Sequence, residues 1–235
     1  MEHVAIIGIG NVTQRYLDCF EELGVKVTKC HRNDLAKASK CDGVCILTEP
    51  QVHLDIAMQF KDTPLLIEKP LACNYNDARK IQDNCCNLFH GFQARYNKKI
   101  KSQKHMFKNA KKASAEIHAP RGNHYFAREW RKELSPMMHH GIHAVDFFIW
   151  WFGEVIHCQK QDNCLYMEHI NGTKSSVIVT RNAPNLIDLK VYREDMVFKL
   201  DTFGKHFDMC KDFVDQTATK FDGTAAIKVI NSVGW

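Results

Sequence analysis

Residues 3–9 (HVAIIGI) form a short, nearly unbroken apolar run. That pattern fits a strand buried on both faces rather than one with a wet side. Residues 11–23 change period. Val12, Tyr16, Cys19 or Phe20, and Leu23 fall on one side of a helix, and Gly24 stands where it would stop. The two textures then repeat. Residues 25–30, 43–48, 64–67 and 88–92 read as strands, and residues 51–60 and 74–86 as helices, the second with Asn74 or Asn76 as N-cap. Strand and helix alternating at this spacing predict βαβ units and a doubly wound parallel sheet.

Beyond about residue 112 the pattern is different. Residues 113–119 read as a strand, followed by a polar loop. Residues 139–152 read as a helix with an apolar stripe of Ile142, Val145, Ile149 and Phe152. Residues 155–159, 164–169, 173–180, 186–192 and 196–200 are short strands separated by turn residues, Asn171-Gly172 among them. Residues 207–217 and 224–233 close the chain as helices. The expected fold is α/β: an N-terminal Rossmann sheet over residues 1–112, then a smaller α+β domain with a mostly antiparallel sheet over residues 113–235.

Composition narrows the class. The 235 residues, 45% hydrophobic and 25% charged, suffice for one large core or two small ones. Apolar runs such as residues 147–152 are far shorter than the about 20 residues a bilayer span needs. The N-terminus lacks a charged n-region and a cleavage site. A soluble, cytoplasmic protein without a membrane partner is expected. The ten cysteines are scattered without a CxxC pair, and Cys85 and Cys86 are adjacent. They read as reduced thiols, without the ligand spacing of a zinc site. The net charge of +5 is local: residues 95–112 hold eight basic side chains and no acid, leaving 24 basic against 27 acidic elsewhere. No nucleic-acid motif accompanies that run, so a solvated helix face is expected rather than a nucleic-acid partner.

Chemistry enters at Gly8-Ile9-Gly10-Asn11-Val12-Thr13, between the first strand and the first helix. A dinucleotide pyrophosphate docks at such a turn. Gly8 permits the tight bend, Gly10 lets backbone N–H groups approach, and Asn11 and Val12 open the helix. Thr13 replaces the third glycine of GxGxxG. After the second strand, Cys30-His31-Arg32 stands where NAD enzymes usually carry an acid for the ribose. Arg32 can pair with a 2′-phosphate, which favours NADP over NAD.

Two further turns carry a resemblance. Thr48-Glu49-Pro50-Gln51-Val52-His53 follows the third strand, and Glu68-Lys69-Pro70-Leu71 the fourth. Trp130-Arg131 precedes SPMMHHGIHAVD (residues 135–146) and Trp151-Phe152-Gly153, and the tail holds Asp222-Gly223-Thr224-Ala225-Ala226. In order along the chain, these resemble the GxG, TPxxxH, EKP, WR, (D/H)xGxHxxD and DGxxA segments of the Gfo/Idh/MocA oxidoreductases. The resemblance implies an NAD(P)-dependent dehydrogenase acting on a sugar or nucleotide sugar, and a homo-oligomer, dimer or tetramer. It implies Lys69 as acid/base group and His143 as substrate contact and proton relay. It also implies Thr48, Glu49, His53 and Glu68 at the cofactor, and Arg95, Tyr125, Trp130, Arg131 and His139 at the substrate. His139, His143 and Asp146 share a helix face by their i, i+4, i+7 spacing.

Two departures stand out. The chain is shorter than is usual in the family, which implies a pared-down second sheet, and Ser135-Pro136-Met137 replaces its three glycines. A catalytically altered cofactor-binding scaffold or sensor is the first alternative. A metal hydrolase using His139, His140 and His143 is the second, although the general-base glutamate of HExxH is missing.

Overall fold

The apolar runs of the first hundred residues become a parallel sheet. β1 (His3–Ile7), β2 (Lys26–Cys30), β3 (Gly43–Ile46), β4 (Leu65–Ile67) and β5 (Leu88–His90) pair in the order β2-β1-β3-β4-β5, every pair parallel. This computed structural model describes residues 1–120, 130–181, 183–194, 196–200, 205–217 and 221–235. Strand order reverses at β1 and β3, which makes the carboxyl ends of these strands the expected ligand edge. α1 (Thr13–Glu22) buries Tyr16 and Phe20, as its spacing predicts. A short 3-10 turn leads into α2 (His53–Gln59). Asn74 caps α3 (Tyr75–Asn84), its side-chain oxygen accepting from the Asp77 N–H at 2.9 Å.

The chain divides into two units, though not at residue 112. One comprises Met1–Asn97 and Gly204–Thr224, the other Lys98–Phe203 and Ala225–Trp235. The first exchange is α7 (His206–Asp215), which returns to pack on α1. Its Met209, Cys210, Phe213 and Val214 share one core with Phe20 and Phe89. The second exchange is α4 (Lys98–Gln103) with the 3-10 turn Lys104–Phe107. Phe107 stacks on Trp151 at 4.4 Å and meets Phe198 edge-on at 4.8 Å. Residue 112 marks a change of sequence texture, whereas packing changes at residue 98. The basic run does expose its lysines, with Ile100 as the buried residue of α4.

In the second unit, β6 (Lys112–His118), β7 (Val155–Gln161), β8 (Cys164–His169), β9 (Lys174–Thr180), β10 (Leu186–Arg193) and β11 (Met196–Leu200) form a sheet of order β11-β10-β6-β9-β8-β7. Only the β6–β9 pair is parallel. The sheet thus holds six strands despite the chain's short length. Asn171 and Gly172, the latter at φ +83°, turn β8 into β9. α5 (Trp130–Glu133), α6 (Ile142–Phe152) and α8 (Ala225–Ser232) belong to this unit. α6 is buried nearly all round, with Ala144, Phe147, Phe148 and Trp151 buried beside the expected stripe. A helix that is apolar on every side is a central helix, not an amphipathic one.

Candidate functional site

In the first unit, two close approaches gather the strand ends. Gly8 has φ +99°, and a Cβ there would stand 2.8 Å from the Leu47 carbonyl carbon and the Thr48 nitrogen. No other residue fits that turn. At Gly91 a Cβ would stand 2.8 Å from the Glu68 Cα and the Lys69 nitrogen. The turns after β1, β3, β4 and β5 are therefore pressed together at one edge of the sheet. The first of them departs from the glycine-rich pattern in a specific way. The buried Thr13 hydroxyl accepts from the Gly10 N–H at 2.8 Å and donates to the Gly8 carbonyl at 3.1 Å. It staples the turn on which the first helix opens. Asn11 is exposed and Val12 half-buried, and Ile9 is 47% exposed at the tip, an apolar side chain offered to solvent. A glycine cradle at the N-terminus of a ten-residue helix suits a pyrophosphate.

Arg32 and Glu49, both expected at the cofactor, meet each other at 2.8 Å between the ends of β2 and β3. The half-buried Thr48 has a hydroxyl that is itself shielded and finds no hydrogen-bond partner among the described residues. His53 is fully buried and cannot touch a ligand. Its Nδ1 lies 3.2 Å from the Leu71 carbonyl oxygen and its Nε2 3.1 Å from that of Thr48. Burial pushes its pKa down against the pull of those two carbonyls. His53 ties the loop after β3 to the loop after β4.

Glu68 and Lys69 end β4. The Glu68 Oε2 accepts from the Lys69 backbone N–H at 2.9 Å, and its Oε1 accepts from the Tyr16 hydroxyl at 2.8 Å and lies 3.8 Å from His206 Nε2. Burial alone would raise its pKa. The nearby His206 ring, the charge of Lys69 and the Tyr16 hydroxyl outweigh that and bring it down to about 2. Beside it, the buried His90 ring lies against Gly223, where a Cβ would come within 2.2 Å of Nδ1. Phe221 packs on His90 at 4.9 Å, and the Arg95 guanidinium sits 4.2 Å over the Phe221 ring. Tyr96 accepts from the His90 N–H at 3.1 Å.

In the second unit, the chain before α6 winds as a π-helix, Met137–Gly141. Looser winding removes the simple i, i+4 alignment expected for His139 and His143, and such turns often mark functional sites. Ser135 opens it, its hydroxyl accepting from the Met138 N–H at 3.1 Å and its carbonyl from the His139 N–H at 3.0 Å. Serine in place of glycine thus has a local role. His139 is buried, stacks on His140 at 4.3 Å and faces Trp130 at 5.8 Å. The buried Arg131 holds its guanidinium 5.2 Å from the Trp130 ring. His143 is half-buried and Asp146 buried. Tyr125 lies outside the described residues. No three His, Cys, Asp or Glu side chains converge as metal ligands among the described residues.

Residues 12–88 match the GFO_IDH_MocA model, described as the oxidoreductase family's NAD-binding Rossmann fold. Over those residues the chain is similar to that domain. No curated protein sequence matches the chain. Solved structures extend the likeness of fold to nearly the whole chain. The WlbA dehydrogenase from Bordetella pertussis, in complex with NADH and UDP-GlcNAcA, superposes with a TM-score of 0.82 at 13% identity, over 99% of this chain and 95% of that one. The WlbA (WbpB) dehydrogenase from Thermus thermophilus, with NAD and UDP-GlcNAcA, gives 0.77 at 15%, over 97% and 93%. Myo-inositol 2-dehydrogenase from Lactobacillus plantarum gives 0.76 at 15%, over 98% and 95%. At such identities the likeness is one of fold.

Sequence reasoning missed Tyr16 and His206 as neighbours of Glu68. Tyr16 was visible as a polar group on an apolar helix face. His206 had no local signal, because it comes from far along the chain.

Proposed function

We propose that the chain is an NAD(P)-dependent dehydrogenase or reductase acting on a carbinol or ketone carbon of a sugar, in the nucleotide-linked class. The observation that carries this is the pair of close approaches at Gly8 and Gly91, which put Lys69 at the same sheet edge as the Gly8–Thr13 turn. Bound nicotinamide dinucleotide supplies the hydride donor or acceptor. The Gly8–Thr13 turn and the first N–H groups of α1 hold the pyrophosphate, and Arg32 holds the ribose 2′ side. Lys69 exchanges the proton of the reacting hydroxyl, while His143 orients that hydroxyl. Arg131 suits a phosphate or carboxylate, and Arg95, Trp130 and His139 are further substrate contacts on this reading. The relatives solved with UDP-GlcNAcA support the substrate class. A homo-oligomer and a cytoplasmic location complete the reading. No helix among the described residues is long and apolar enough to cross a membrane.

The test is calorimetry with NAD and NADP, then turnover on UDP-N-acetylglucosamine and myo-inositol. Lys69→Met should lower turnover by about 100- to 10,000-fold, the usual contribution of a positioned acid or base, with cofactor affinity nearly unchanged. Wild-type turnover in that variant would sink the mechanism, whereas cofactor binding without turnover by the unmutated protein would favour the scaffold reading. Binding of neither cofactor would sink both.

A further inference from the structure

A buried carboxylate is costly unless donors surround it. The Glu68 and His206 side chains are only 12% and 13% exposed. Two donors reach the Glu68 carboxylate, the Tyr16 hydroxyl from α1 and the Lys69 backbone N–H from its own turn, and the His206 ring from α7 stands 3.8 Å from it. Tyr16 and His206 also brace each other, ring centroids 5.2 Å apart and edge to face at 73°. Lys69 lies past the end of β4, beyond the last ladder pair at Ile67 and His90. The Glu68 side chain therefore helps to fix the Lys69 backbone.

We propose that Tyr16 and His206 are positioning residues for Lys69, holding Glu68 in the one rotamer that ties down the Lys69 N–H. The proposal rests on the reading of Lys69 as the proton-transferring group. Without the Tyr16 hydroxyl and the His206 ring, the carboxylate keeps its burial cost and loses a donor and the ring beside it. It then rotates toward solvent or toward the lysine ammonium. Either movement frees the Lys69 backbone and displaces its ammonium. Misplacement by about 1 Å can cost on the order of 100-fold in rate. Neither residue touches substrate, so KM and cofactor affinity should stay put while kcat falls.

Tyr16→Phe removes one oxygen atom, and His206→Leu removes the ring. Each should lower kcat by about 10- to 100-fold, with KM and cofactor Kd changed by less than about threefold. His206→Gln, whose amide can still donate, should recover most of the loss. A second readout needs no turnover. With Lys69 reductively methylated by 13C-formaldehyde, its methyl resonance at fixed pH should move in Tyr16→Phe and His206→Leu and return in His206→Gln. Should His206→Leu fail to fold, Tyr16→Phe alone carries both measurements. If Lys69→Met abolishes turnover while Tyr16→Phe leaves kcat and the methyl resonance at wild-type values, the positioning role is wrong and the catalytic reading stands. If Lys69→Met keeps turnover, the reading itself fails.

Discussion

On the proposed reading, one ion pair bears on the choice between NAD and NADP. Arg32 and Glu49 meet at 2.8 Å with their side chains 59% and 28% exposed. A pair that open to water contributes about 0–1 kcal/mol, too little to hold Arg32 against a dianionic phosphate. Glu49 nevertheless tempers the positive charge at the place a 2′-phosphate would occupy. Two substitutions should therefore move selectivity in opposite directions. Arg32→Ala should weaken NADP binding about tenfold more than NAD binding, about 1.4 kcal/mol. Glu49→Gln should strengthen NADP relative to NAD by severalfold, because the arginine is released. Calorimetric Kd values for both cofactors check this. Equal losses for NAD and NADP in Arg32→Ala would show that Arg32 faces solvent and reads nothing. The arginine was legible in the sequence as the wrong residue for a ribose acid. Its partner was not, because adjacent parallel strands bring together residues whose separation along the chain carries no signal.

At the scale of elements, residues 221–224 close over β5 and bury a histidine without solvating it. Neither His90 nitrogen meets a hydrogen-bond partner among the described residues. Burial, then the Arg95 charge, pushes its pKa down to about 3 from 6.5, opposed weakly by Asp222 and the nearby Phe221 backbone. The unfolded chain takes up that proton near pH 6.5, the folded one only near 3. Between those values the unfolded state binds more protons, so stability is fully present above pH 6.5 and declines as pH falls through the window. Denaturant melts between about pH 5.5 and 4.5 should show this slope. His90→Leu should reduce it by about 1.4 kcal/mol per pH unit, while His53 and His169, also shifted down, remain in both proteins. An unchanged slope would mean His90 titrates normally in the fold. Most elements were legible in the sequence, because a period-of-two or period-of-3.6 pattern is local. The π-helix at Met137–Gly141 was not, because Ser135 and Pro136 read equally as an ordinary helix start.

At the scale of the whole molecule, sequence texture and folding unit part company. The break near residue 112 separates βα alternation from a run of strands, yet α7, nearly a hundred residues later, completes the first core. Nothing local announces that. An amphipathic helix shows that it needs a partner, and not which one. Phe213 lies 5.3 Å from Phe89 and 6.4 Å from Phe20, and it is fully buried, as are Met209 and Cys210. Burying each large apolar side chain contributes about 1.5–3 kcal/mol, so this helix supplies several kcal/mol to the core. A domain's whole stability is about 5–15 kcal/mol. A fragment of residues 1–112, the domain as its texture defines it, should therefore lack a cooperative thermal transition and bind neither cofactor. The positions that α7 covers on α1 would stand exposed, and Tyr16 and Glu68 would both lose the His206 ring. Supplying residues 204–224 through a flexible linker after residue 97 should restore both the transition and binding, since that pairing reassembles the unit as it packs. Circular dichroism melts and calorimetry on the two fragments decide the matter. A 1–112 fragment that melts cooperatively and binds NAD as tightly as the full chain would show that α7 is dispensable to the Rossmann core.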